Sequence, residues 1–139
     1  MKAQSTYKLL PVMEIRNDTG GSGLFGASRE GGKRTHRGTD YTVYKGQSIT
    51  APETGIIVRR ANPYPNDPKY KGLLFKGESG REIKVFYAEP NETLIGKKVK
   101  AGQVIAKAQN IGEKYSNVTP HIHVEVYRSG ILINPQTIF

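Results

Sequence analysis

The chain contains no cysteine and no tryptophan, and it has only three histidines. The first absence excludes disulfide stapling and thiolate metal sites, so any metal must be held by histidine, aspartate or glutamate. No apolar run is long enough to cross a bilayer. The N-terminal stretch MKAQSTYKLLPVMEI has a lysine but neither a sustained apolar core nor a small-residue cleavage site, so no signal peptide is recognisable. The expected routes outward are then lysis, delivery on a particle such as a phage virion, or secretion after removal of a leader. Aromatic residues are sparse at 9%, and no nucleic-acid-binding motif is recognisable. Acidic residues are outnumbered, 12 against 21 Lys and Arg, for a formal net charge of +9. The basic residues are scattered, as in KYKG, RRAN and GKKVKAG, with no stacking platform between them. This pattern argues against a dedicated nucleic-acid partner. It describes a solvated basic surface that attracts anionic polymers, including a cell wall, over a Debye length of about 10 Å.

The 139 residues, 36% of them hydrophobic, suffice for one domain spanning 1–139 with a single β-rich core. Sixteen glycines and eight prolines cut the chain into short pieces, and no stretch keeps a helical apolar period over three turns. The expected class is all-β. The expected strands are 41–44, 55–60, 73–76, 82–87, 104–108, 121–127 and 131–133, each bounded by Gly, Pro, Asn or Asp. LLFKGESGREIKVFY reads as a hairpin turning at 77–80, and YRSGILIN as a tighter one at Ser129 and Gly130. ANPYPNDPKYKG, with three prolines, is a loop that serves either as one wall of a groove or as a plain surface connection.

Chemistry concentrates in two motifs. In PHIHVEV, strand alternation sends His121, His123, Glu125 and Tyr127 to one face and Ile122, Val124 and Val126 into the core. In HRGTD, His36 and Asp40 bracket a turn whose Gly38 is expected to supply the backbone freedom that brings both side chains to one point. Three imidazoles and a carboxylate in two short motifs read as a divalent-metal site with one histidine left for chemistry. Zinc is the expected ion, because catalytic zinc takes three protein ligands of this kind and keeps a fourth position for water.

GLFGASR, HRGTDY, APETGIIV, KKVKAGQVIA and PHIHVEV followed by INP resemble, in order and spacing, the lysostaphin or LytM-type zinc endopeptidases over residues 10 to 135. The resemblance implies an antiparallel, β-sandwich-like fold of the duplicated hybrid motif type, with a long groove. It implies Zn²⁺ held by His36, Asp40 and His123, with His121 catalytic, and an activity that hydrolyses peptide crosslinks of bacterial peptidoglycan through a metal-activated water. One departure stands out: where the family has a second non-ligand histidine, FYAEP places Glu89. A carboxylate there could act on the water as a catalytic group, or stand exposed at a strand end with no role. The same change also occurs in vertebrate chemotaxin-like relatives, which implies the alternative of a zinc-holding binding module or activator.

Overall fold

The computed structural model describes residues 8–18, 21–29 and 34–139. Among the described residues fourteen strands follow in chain order: β1 (Asn17–Asp18), β2 (Gly21–Ser22), β3 (Ser28–Arg29), β4 (Arg34–Thr35), β5 (Thr39–Thr42), β6 (Ser48–Thr50), β7 (Gly55–Ala61), β8 (Gly72–Gly77), β9 (Arg81–Phe86), β10 (Ala88–Pro90), β11 (Lys98–Val99), β12 (Val104–Ala108), β13 (His121–Arg128) and β14 (Ile131–Ile133). Among the described residues the only helical pieces are three short 3-10 turns. The expectation of an all-β chain is therefore met.

Two antiparallel sheets carry the core. One has seven strands in the order β11-β7-β8-β9-β13-β14, with β5 also paired to β13, and the other has three in the order β10-β12-β6. A single apolar cluster includes side chains from both: Ile57, Leu73, Phe75, Val85, Ile122, Val124 and Val126 from the larger sheet, and Ile49, Ile105 and Ala108 from the smaller. Ile122, Val124 and Val126 are fully buried, as strand alternation requires if the histidines between them occupy the opposite face. The expected hairpins both form. Ser129 and Gly130 have φ of 51° and 77°, the positive pair demanded by a two-residue hairpin whose twist matches its strands.

Seven short strands, β1 to β4, β6, β10 and β11, were not expected from the sequence; at two or three residues they carry too little periodicity to be recognised. The expected strand 41–44 is displaced to Thr39–Thr42. The reason lies in pairing: Thr39 sits opposite Val124 and Asp40 opposite His123, whereas Val43 N–H donates to the Pro120 carbonyl beyond the end of β13. What read as the end of a turn is thus the start of a strand, and this register builds the site.

Candidate metal centre and its cavity

Residues paired across an antiparallel ladder project to the same face, so the His123–Asp40 register sets imidazole beside carboxylate without any special loop. His36 comes in from the preceding turn. The expectation that Gly38 is needed for its backbone angles is corrected here, because its φ is not positive. A Cβ at this position would fall 2.2 Å from the Val124 carbonyl oxygen and 3.0 Å from His123 Cε1. Gly38 is small so that the HRGTD turn can lie directly on β13.

Three donor atoms meet: His123 Nδ1 is 2.9 Å from Asp40 Oδ1, and His36 Nε2 is 3.0 Å from both. The second nitrogen of each ring is engaged elsewhere. His36 Nδ1 is 2.9 Å from the Leu24 carbonyl, and His123 Nε2 is 2.9 Å from Glu125 Oε2. Both acceptors hold the outer ring nitrogens as donors, so that once a cation displaces the inner protons the lone pairs of His36 Nε2 and His123 Nδ1 point to the same place as the Asp40 carboxylate oxygen. Three lone pairs at that separation repel unless a proton or a cation lies among them. Two imidazole nitrogens and one carboxylate oxygen form a donor set suited to zinc, so the residues present fit the ion.

The surroundings reinforce this arrangement. Arg16, buried at 4% exposure, donates from Nε to Asp40 Oδ2 at 3.1 Å and from Nη1 to Asp18 Oδ1 at 2.7 Å. Burial pushes the Asp40 carboxyl up, but the hydrogen bonds from His123 and His36 outweigh it and hold the group well below the usual carboxylate range. For His123, burial acts downward and is overcome by the bonds to Asp40 and Glu125, so that without metal its pKa is raised to about 9. These two shifts are one interaction seen from its two ends. Phe86 stacks on the His123 ring with centroids 5.6 Å apart and planes at 13°.

His121 stands apart from the three donors. Its Nδ1 donates to the Thr119 carbonyl at 2.7 Å, which leaves Nε2 as an acceptor 3.6 Å from Asp40 Oδ2. Burial lowers its pKa, with the Asp40 charge opposing, so the ring is neutral at physiological pH and able to accept a proton. A cavity of about 320 Å³ opens over all four residues. Its far wall is tyrosine-rich, with Tyr64 from the proline-containing loop, Tyr87 from the β9–β10 junction and Tyr115 from the segment after the 3-10 turn Ile111–Glu113.

The structure does not bring Glu89 to this cluster. Tyr87 has φ of 65°, which breaks the alternation at the end of β9 and turns the chain into the smaller sheet. Ala88 and Pro90 consequently face the core, and the Glu89 side chain is 59% exposed, paired with Lys71 Nζ at 3.5 Å. Strand alternation puts Glu125 on the right face without assigning it a partner, and no sequence signal marks Arg16 or Tyr64 as part of the site; for Tyr87 the sequence favours core or rim packing over contact with a transition state, whereas the side chain lines the cavity. Glu125 was detectable as the next residue on the strand face after His123. Arg16 reaches Asp40 across 24 positions with no motif to mark it.

Residues 34–135 match Peptidase family M23, which is well over half of the chain. The chain belongs to that family. It is 31% identical over 108 residues, 76% of its own length, to an uncharacterized metalloprotease of Haemophilus influenzae, and it spans only 21% of that relative. It is also 29% identical to bovine (Bos taurus) leukocyte cell-derived chemotaxin-2 over 113 residues, covering 81% of this chain and 72% of the relative. The antimicrobial peptidase lysostaphin from Staphylococcus simulans superposes with a TM-score of 0.67 at 20% identity, covering 98% of this chain and 54% of that one; the two share a fold. This M23 domain therefore has the lysostaphin-type architecture that its motifs imply. No helix among its described residues is long and apolar enough to cross a membrane.

Proposed function

We propose that this M23 domain is a zinc-dependent endopeptidase that hydrolyses peptide crosslinks of bacterial peptidoglycan. The observation carrying the reading is the convergence of three metal-donor atoms, each held by a fixed partner, beside a fourth residue whose second ring nitrogen faces the same cavity. His36 Nε2, Asp40 Oδ1 and His123 Nδ1 would hold the ion. Bound zinc supplies Lewis acidity, which polarises a carbonyl and lowers the pKa of water toward neutrality. Glu125 and the Leu24 carbonyl keep the two ligand rings oriented, and Arg16 keeps the Asp40 carboxylate in place. His121 takes a proton at Nε2 and hands it to the leaving amine, its Nδ1 staying bonded to Thr119 throughout. Glu89, turned to solvent, has no part in this scheme. The basic surface suits an anionic wall polymer, and the site of action is the cell wall.

The test is digestion of purified peptidoglycan by zinc-loaded protein, with mass spectrometry of the released fragments. His121→Ala should abolish release with zinc still bound, whereas His36→Ala and Asp40→Ala should lose the metal. A second reading, a metal-holding binding module without turnover, is favoured by the likeness to chemotaxin-2 and by Glu89 in place of histidine. It predicts that zinc-loaded wild type releases nothing while Glu89→His gains activity. The enzyme reading is preferred because a metal held only as structure has no need of a neutral His121 lining the same cavity.

A further inference from the structure

We propose that Tyr87 donates a hydrogen bond to the scissile carbonyl oxygen as that oxygen gains negative charge, with Tyr64 holding the phenol in position. The inference rests on the hydrolytic reading above. Three observations converge on Tyr87. Its backbone has φ of 65°, an uncommon conformation for a bulky residue. The other non-glycine residue with positive φ among those described, Ser129, is accounted for by its hairpin. At Tyr87 the conformation instead takes a side chain that alternation would send into the core and places it in the cavity, beside Asp40, His121 and His123.

There the Tyr87 ring stands edge-on to His121, with centroids 5.3 Å apart and planes at 87°. Its hydroxyl lies 3.0 Å from that of Tyr64. Two hydroxyls in such a contact carry two protons, and only one is used between them. When Tyr64 donates, the Tyr87 proton is left to be offered to a substrate oxygen.

Tyr64 is itself held firmly. It stacks on Tyr87 at 6.0 Å and 25°, and the Lys114 ammonium lies 5.0 Å over its ring while paired with Asp67 at 2.8 Å. The proline-rich loop is thereby tied to the segment carrying Lys114, and the phenol pair is ordered before substrate arrives. The bond involves no proton transfer. It strengthens as charge develops on the oxygen, which is the condition for raising kcat without tightening ground-state binding. It provides a donor that residue 89, facing solvent, does not.

Tyr87→Phe keeps the ring against His121 and removes only the hydroxyl. With soluble crosslinked muropeptides and zinc-loaded protein, kcat should fall about 100-fold with KM changed less than about twofold, the size expected for one oxyanion donor. Zinc content and melting temperature should be unchanged. Tyr64→Phe should lower kcat less, by about tenfold, because it only orients the donor. A readout independent of turnover is calorimetric binding of a phosphinic dipeptide isostere, whose anionic tetrahedral group mimics the developing oxygen. Tyr87→Phe should bind it about 100-fold more weakly than wild type.

If Tyr87→Phe keeps more than half the wild-type kcat or the full phosphinate affinity, the inference is overturned and the hydrolytic reading stands. If KM rises as much as kcat falls, or the melting temperature drops, Tyr87 is a packing residue and the inference is likewise overturned. If wild type cuts nothing yet binds the phosphinate, the hydrolytic reading fails and the comparison of phosphinate affinities decides the role of Tyr87. If wild type also binds no phosphinate, both fail.

Discussion

Metal binding to this site should release a proton, and the number released is fixed by His123. Without metal, the bonds to Asp40 and Glu125 keep this imidazole protonated, with a pKa raised to about 9. Its Nδ1 is also the atom offered to the ion, so the proton must leave before zinc can bind. At about pH 7.5 the site lies roughly 1.5 units below that value, so competition weakens the apparent zinc affinity about 30-fold, or about 2 kcal/mol. Affinity should rise about tenfold per pH unit up to about pH 9 and then level off. Calorimetric titration near pH 7.5, in buffers of different ionisation enthalpy with a competing chelator, should report close to one proton from His123. Stability gives a second measure. A folded pKa above the unfolded value of about 6.5 contributes stability that is complete below that pH and is lost as pH rises through about 9, here about 3 kcal/mol. The metal-free protein should lose that much between the two limits, and the zinc-bound protein should not. A release near zero, with affinity independent of pH from 6.5 to 9, would refute the reasoning and mean that His123 is neutral before zinc arrives.

Four further outcomes follow from the same geometry. Arg16→Met removes the partner of Asp40 Oδ2 and should weaken zinc affinity about 10- to 100-fold, read by chelator competition. Glu125→Ala frees His123 Nε2 and should do the same within that range; unchanged affinity in both would show that the outer partners do not orient the ligands. Gly38→Ala drives a Cβ into the Val124 carbonyl, a backbone atom of a central strand, and should cost about 3 kcal/mol in denaturant unfolding together with loss of stoichiometric zinc. Glu89→Ala removes only an exposed pair with Lys71, worth at most about 1 kcal/mol, so peptidoglycan release should stay within about twofold; a tenfold loss would return Glu89 to the chemistry.

What could be read in advance followed from alternation. Each residue of PHIHVEV lies on the face that a period of two assigns, and the partners of that strand needed only enough apolar residues to be recognised as strands themselves. Asp40 could be matched with the histidines as a type of donor, but not by position. Its place comes from pairing opposite His123, a register that depends on Thr39 pairing opposite Val124 and on Gly38 lying flat against β13. Arg16 was illegible for a different reason: a long-range ion pair between single residues has no period and no spacing.

Glu89 shows how a motif can align correctly while the side chain goes elsewhere. Counting along FYAEP brings a carboxylate to the family's histidine position, and the count assumes that the strand continues unbroken. One dihedral angle, φ at Tyr87, reverses the outcome by turning residue 87 into the cavity and residue 89 out of it. Tyrosine carries no signal for that conformation, as glycine would. The phenol turned inward and the carboxylate turned outward therefore have a single structural cause. Glu89→His alone, placing a ring on the outer face of β10, should accordingly fail to add activity unless the backbone at Tyr87 also changes. A gain from that single substitution, with wild-type activity already measurable, would mean that the β9–β10 junction moves enough to bring residue 89 to the metal.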